Sequence, residues 1–474
     1  MTINRRDFLK FSTLLSTSSL LPFMLDSSAE AAIAASNPLI TNKGIKVADF
    51  TGAKWKDPWQ TGARLTRNFN SLALPARTPV TGMLRWGPIT AAYETIQLNT
   101  SDLPGGAPLV LRGRFGLWMY CANQRGYGPG QEPDTTFHIV MTTAVDLSFD
   151  NAVDISFNAN QIREGWNFLK YVDNPKGHPM GIDKAFWGDG SGGDIVNNPV
   201  TAIQIYCDAP DIGATWYFDS LWTGFTTKPQ IVLGCDDAND SLLNYCIPQF
   251  KQVGWIGYIA TPYRVWESGS YKVTRWVNNP YIARALNEAP QWDIINHTVN
   301  HLRVGDLTRK ADITYELTAQ TTWLRSQGVP DKGLMFYASP QSSSSRLSDK
   351  TIKSLGFTVQ RHYRKQNTCL TQFGIDNPQH IGAFALDDQY EAQSFDKIKA
   401  AIDIVIAYED TSNLYWHDII DDSNNPQDGI STTGNSYSIY KSTWDKVMHY
   451  IRTLELDGKV TIAKGMTGFV QGNI

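Results

Sequence analysis

The chain has 474 residues, with 42 Lys+Arg against 46 Asp+Glu and a formal charge of −4. That length exceeds one ordinary domain, and a composition of 42% hydrophobic and 19% charged residues supplies ample core and argues against disorder. The near-neutral balance gives no general pull towards phosphate backbones or acidic membranes, so nucleic acid is not an expected partner.

In chain order, residues 1–35 read as an address. Arg5-Arg6-Asp7-Phe8-Leu9-Lys10 is followed by an uncharged stretch from Phe11 to Leu25, then by Ala29-Glu30-Ala31 and Ala32-Ile33-Ala34. These are a charged region, a short apolar region and small-residue cleavage sites. The paired arginines before Phe-Leu-Lys resemble a twin-arginine signal, with Asn4 where Ser or Thr is usual. The expectation is a periplasmic or secreted protein, without a transmembrane anchor in the mature chain.

Residues 38–227 carry short runs separated by Gly, Pro, Asn and Asp. The runs include Pro108 to Arg112, Phe137 to Met141, Val153 to Phe157 and Ala202 to Tyr206, several of them alternating apolar and polar residues. That rhythm predicts an all-β sandwich. Its closing stretch, Thr215 to Trp222, resembles the last strand of galactose-binding-like jelly rolls, and carbohydrate binding is one role for such a domain. The chain's 15 Trp suit stacking on sugars as well as large cores.

Beyond Pro229 the period changes. Strands are predicted at 231–233, 256–259, 293–295, 334–337, 357–359, 413–416 and 459–462, with helices near 241–252, 310–327, 348–355, 394–407 and 440–455. Alternating β and α implies a parallel sheet over 229–474, doubly wound or closed into a barrel. Five cysteines (Cys121, Cys207, Cys235, Cys246 and Cys369) form no CxxC pair, which excludes common zinc-ribbon and thioredoxin spacings.

Three predicted strand ends carry titratable groups. Asp236-Asp237 is unremarked by composition alone, since 36 Asp give about three such pairs by chance and three exist. His297-Thr298-Val299-Asn300-His301 is rarer: eight His give only about 0.1 such pairs. On one helical turn this spacing would point both imidazoles at one metal, although two surface histidines give the same pattern. His417 follows the third strand, and such a lone His is often structural.

This set resembles the polysaccharide deacetylases of carbohydrate esterase family 4. Their Thr-Phe-Asp-Asp motif matches Gly234-Cys235-Asp236-Asp237 at both acids, and their His-Ser/Thr-x-x-His matches 297–301 throughout. Their late Leu-x-His matches Tyr415-Trp416-His417 at the His, with Leu414 one position early. The resemblance covers roughly 229–470 and implies a distorted or incomplete (β/α) barrel behind the jelly-roll-like sandwich. It also implies Asp236 as base, His417 as acid, and Asp237, His297 and His301 as ligands of a divalent metal, with zinc the expected ion. Gln341 and Trp416 are implied on the substrate side, Gln341 through its backbone N–H.

Two motifs depart from the family pattern. Arg-x-Pro-Tyr/Phe falls at Ala338-Ser339-Pro340-Gln341 and keeps only the proline; Arg303, Arg346 or Arg361 could supply the guanidinium that orients the base from elsewhere. The Asp-Trp element has no clear match, and the basic run Arg361-His362-Tyr363-Arg364-Lys365 occupies that region. The expected activity is metal-dependent hydrolysis of N- or O-acetyl groups on a polysaccharide. A non-catalytic carbohydrate-binding protein is the alternative, and a hydrolase of another acyl or amide bond a third.

Overall fold

The computed structural model describes residues 40–471 except 59–62, 71–80, 123–135, 159–161, 163–164, 175–181, 209–212, 238, 263–285, 364–369, 372–380, 388–393 and 423–436. The expected leader and Cys369 lie outside the described residues. No described helix is long and apolar enough to cross a membrane.

Up to Thr227 the chain builds two antiparallel sheets. One holds β1 (Ile40–Asp49), β2 (Leu65–Asn70), β3 (Thr81–Trp86), β5 (Arg114–Ala122), β8 (Gly165–Val172) and β11 (Thr215–Thr227), in the order β2-β3-β11-β5-β8 with β1 also on β11. The other runs β4 (Thr95–Asn99), β10 (Ala202–Cys207), β6 (Thr136–Thr142), β7 (Val153–Asn158) and β9 (Ile182–Phe186). Alternation turns Phe137, Ile139 and Met141 of β6 inward, and Phe137 meets Trp216 and Phe218 of the facing sheet at ring distances of 5.4 and 6.1 Å. The strand expected at 108–112 does not form. Leu109 makes one isolated bridge to Val200, and the run stops at Arg112 and Gly113, both at positive φ.

The second half closes a barrel of seven parallel strands. They are β12 (Gln230–Asp236), β13 (Tyr258–Thr261), β14 (Asp293–Asn296), β15 (Phe336–Ala338), β16 (Val359–Tyr363), β18 (Ile381–Ala385) and β19 (Thr411–Trp416). Pairing of β12 with β19, from Gln230↔Thr411 to Cys235↔Trp416, completes the ring. β18 is absent from the sequence expectation. Two short strands hang on the rim, β17 (Leu370–Thr371) antiparallel to β19 and β22 (Thr461–Ile462) parallel to β12, while β20 (Asp418–Ile420) pairs with β21 (Ser438–Tyr440).

Alternation along β12 explains the two apolar layers. Ile231, Leu233 and Cys235 pack outward with the helices, whereas Val232 packs inward with Tyr258, Ala260 and Ile295. Gly234 also faces inward, where a Cβ would lie 2.0 Å from the Tyr258 ring; only glycine lets that ring cross the barrel. The helical layer includes α1 (Ile247–Val253), α2 (Lys310–Ser326), α3 (Arg346–Ser354), α4 (Phe395–Ala407) and α5 (Lys441–Leu456). A last short helix, α6 (Gly465–Gln471), places Met466 and Phe469 against the inward residues at the strands' N-terminal end. Asp293, at the start of β14, holds that helix by accepting from Thr467 N (2.6 Å) and Oγ1 (2.9 Å). Chemistry is thereby left to the C-terminal strand ends.

Sheet and barrel meet at the turn before β19. Arg114 makes a two-pronged pair with Glu409 (2.6 and 3.0 Å). Buried Lys170 donates to the Glu409 carbonyl at 2.7 Å and lies 3.9 Å from Asp410 Oδ2. Burial drives both members of that pair towards neutrality, lowering the Lys170 pKa and raising the Asp410 carboxyl to about 6 in spite of their mutual attraction.

Candidate active site

The C-terminal ends of β12, β14, β16, β18 and β19 converge on one cluster of titratable groups. Asp237 follows β12 at a left-handed φ of 61°, tied by its N–H to the Ala260 carbonyl. Its Oδ1 lies 3.6 Å from His297 Nε2 and 3.4 Å from His301 Nε2. Two ligands each ~2.1 Å from one ion in tetrahedral geometry are about 3.4 Å apart, so the spacing fits a common cation. Asp237 Oδ1 is buried without a hydrogen-bond partner, which is the condition of a carboxylate oxygen meant for a cation. Burial opposes its charge, but His301, His297, His417 and Arg361 outweigh it and hold its pKa below the usual value.

His297 is tautomerically fixed. Its Nδ1 lies 2.9 Å from the Ala338 carbonyl, which can only accept, so Nδ1–H donates and Nε2 presents a lone pair towards Asp237. Burial, with His301 adding to it, brings the pKa of His297 down to about 4 against the pull of Asp236 and Asp237. A neutral imidazole is the form that ligates.

The histidine pair does not sit on a helical turn, contrary to the sequence expectation. Residues 297–301 form a bend in which Thr298 and His301 take left-handed φ values of 64° and 55°. The cause is capture of the backbone from outside the segment. Asn296 Oδ1 accepts from Thr298 N, while Glu316 of α2 accepts from Val299 N through its carbonyl and from Asn300 N and Nδ2 through its carboxylate. Asn296 is in turn anchored to the Leu317 carbonyl and Thr321 Oγ1. Neither Asn296 nor Glu316 was marked by the sequence.

Asp236 ends β12, buried, and Arg361 of β16 donates from Nη2 to its Oδ2. Of the three arginines considered, the structure brings Arg361 to the base. Its guanidinium lies 4.3 Å from the centre of the Tyr415 ring and 3.3 Å from Tyr258 Oη, which itself donates to Asn413 Oδ1 at 2.9 Å. Asp236 Oδ1 keeps no hydrogen-bond partner and remains available as an acceptor.

His417 follows β19, with its Nδ1 3.2 Å from Asp387 and its N–H donating to the same carboxylate at 2.5 Å. Burial disfavours the imidazolium, yet Asp387, followed by Asp237 and Asp236, raises its pKa to about 9. Asp387 was missed in the sequence because Asp387-Asp388 counts as a chance pair and β18 was not recognised. Trp416 requires correction: it is fully buried between the barrel and its helices, 4.5 Å from the Trp444 ring and 5.9 Å from that of Phe250, and cannot touch substrate. Strand alternation sends Trp416 outward and its neighbours Tyr415 and His417 inward. Gln341 is exposed at a φ of 48°, in the turn three residues beyond the carbonyl that holds His297.

No family model matches the chain, and no curated protein matches it. Solved structures similar to it include a deacetylase from Streptococcus pyogenes (16% identity, 28% of this chain, TM-score 0.23), of which the chain spans 54%. A carbohydrate esterase family 4 domain of a multidomain xylanase from the Trinervitermes trinervoides hindgut metagenome aligns over 51% of this chain and 89% of its own (12% identity, TM-score 0.32). A family 4 pseudoenzyme from Bacillus anthracis aligns over 51% and 66% (11% identity, TM-score 0.33). At such scores these likenesses carry no functional weight, which rests instead on the side chains described above.

Proposed function

We propose that the chain is a metal-dependent carbohydrate deacetylase, exported by the twin-arginine route, that hydrolyses N- or O-acetyl groups of a polysaccharide. The observation that supports it is the grouping of Asp237, His297 and His301, ligand atoms all within 4.8 Å of one another, beside a carboxylate–arginine pair and an imidazole–carboxylate pair. The donor set, two imidazole nitrogens and one carboxylate oxygen, suits a catalytic divalent cation, with zinc the favoured ion. Such an ion polarises an acyl carbonyl and acidifies water when bound.

The chain's own residues supply the rest. Arg361 occupies Asp236 Oδ2 and fixes the carboxylate plane, so Oδ1 is the atom that accepts the proton of an attacking water. His417, held as a proton carrier by Asp387, donates from Nε2 to the departing amine or alkoxide. Gln341, on the turn after Ala338, offers a backbone N–H to the developing oxyanion.

The exposed, non-aromatic Gln341 favours one competing reading, a glycan binder that keeps the fold without turnover. Acetate release from acetylated xylan and N-acetylated chitin oligosaccharides, with chelator and after zinc restoration, separates the two. Chelator-sensitive release supports the enzyme; retention of a glycan without release of acetate under any metal supports the binder.

A further inference from the structure

We infer that the outer face of the five-stranded sheet in the first half of the chain binds a neutral glycan chain, at a site separate from the barrel. The other sheet turns Lys170 towards the barrel, where it is covered. The five-stranded sheet turns a different surface outward. Because Phe137 and Ile139 of β6 and Ile203 and Ile205 of β10 face the core, His138, Gln204 and Tyr206 face away from it.

That face is built rigidly. Tyr206 and His138 are cross-strand partners whose rings lie 4.2 Å apart and within 9° of parallel. One buried carboxylate locks both, since Asp154 accepts from Tyr206 Oη at 2.9 Å and lies 2.9 Å from His138 Nδ1. Two further rings flank Tyr206, Tyr93 at 6.3 Å and Trp187 at 6.4 Å. Tyr93 is 61% exposed although its backbone is held at a left-handed φ of 59°. Its N–H is tied to the Cys207 carbonyl, and buried Glu94 pins the preceding turn through Thr90 and Ala91. Strain and ordering spent on holding an aromatic ring in solvent mark a surface that meets a ligand.

Beside the rings runs a ladder of neutral amides. Gln204 Nε2 donates to Gln97 Oε1 at 3.0 Å, and Gln97 Nε2 donates to Asn99 Oδ1 at 2.8 Å. Pyranose rings offer a C–H face to aromatic planes and hydroxyls to amides; here the half-buried Gln97 and Asn99 supply the amides, and buried Gln204 fixes Gln97 from beneath. None of these side chains is a lysine or arginine, which points to an uncharged sugar rather than an acidic polymer. The site does not depend on the barrel's chemistry.

Electrophoresis of the full chain through gels containing soluble xylan, glycol chitin or hydroxyethyl cellulose tests this. At least one polymer is expected to retard the wild type. Tyr93→Ala and Trp187→Ala are each expected to weaken that retardation by about tenfold in apparent affinity, with an unchanged melting temperature for the exposed Tyr93. His301→Ala, in the barrel, is expected to be retarded as the wild type is. Free migration of the wild type in all three gels overturns the inference. So does full retardation of the Tyr93→Ala/Trp187→Ala double variant, or loss of retardation in His301→Ala alone, which would place binding in the barrel. Acetate release has no bearing on any of these outcomes.

Discussion

Ala338 and Arg361 are partners in the register of β15 and β16, so the guanidinium paired with Asp236 starts one strand away from the position where the deacetylase motif carries arginine. The buried Ala338 methyl leaves room for it, and the Tyr258 and Tyr415 rings support its flat side chain.

Removing that guanidinium should harm both stability and turnover. Arg361→Ala leaves Asp236 buried and unpaired, a loss of about 3–5 kcal/mol for pairs of this kind. Acetate release should fall about 10²-fold or more through misplacement of the base. Adding Ala338→Arg should restore part of both, since the new guanidinium begins at the neighbouring register position. Melting curves and kcat measured side by side decide this; a stable double variant with no recovered turnover would show that Arg361 does more than orient Asp236.

Glu316 should set metal affinity without touching the metal. Its carboxylate receives both the N–H and the side-chain amide of Asn300, which shapes the bend that carries His301. Glu316→Gln places an amide donor where two donors already point. Zinc affinity, read by competition with a chromogenic chelator, should drop about 10–100-fold in a folded protein. Unchanged affinity would mean that Asn296 and the Glu316 backbone carbonyl suffice to hold the bend.

How far these features could be read in the sequence depended on whether neighbours in sequence were also neighbours in space. The strand ends bearing Asp236-Asp237, His297 and His417 stood out because each follows an apolar run directly. Arg361 was one of three candidate arginines and Asp387 went unmarked, because their roles come from partners 125 and 30 residues away. Ile381-Gly382-Ala383-Phe384-Ala385 gave no strand signal, since Gly and Ala are weak β formers, and the seventh strand went unseen with the aspartate behind it. The i, i+4 spacing of the histidines fits a helical turn equally well; the captured backbone of 298–300 is a tertiary effect. The family resemblance implied Trp416 on the substrate side, and only the outward side of β19 reveals it as core.

The junction between sheet and barrel should be sensitive to pH when its cation is removed. Asp410 has a folded pKa raised to about 6 from an ordinary 3.8, so it favours the folded state below about pH 4 and loses that contribution as pH rises through 6. Lys170 limits the loss. In Lys170→Met the buried carboxylate is uncompensated, its pKa moves further up, and the drop in melting temperature relative to wild type should be larger at pH 7.5 than at pH 5. Equal drops at both values would show that Arg114 and Glu409 carry the junction and that the Lys170–Asp410 pair does not.

The same kind of argument, with opposite consequences for function, applies to His417 and Asp387. Burial by itself lowers the His417 pKa; Asp387 overcomes this and, with Asp237 and Asp236, raises it to about 9 from 6.5. An acid must hold its proton when the leaving group departs, so kcat/KM should be sustained at neutral pH and fall as pH rises through the alkaline limb. Asp387→Asn keeps an oxygen for the His417 N–H but removes the charge, and should move that limb to lower pH. A bound cation near Asp237 displaces both profiles downward alike, so the difference between wild type and variant is the quantity to read. His417→Ala should keep zinc and lose about 10²–10⁴-fold in acetate release, whereas His301→Ala should lose both together. The raised pKa also stabilises the fold below pH 6.5, a contribution lost as pH climbs through about 9. If Asp387→Asn lowers the melting temperature while the alkaline limb stays in place, His417 is a packed histidine and the proton comes from elsewhere.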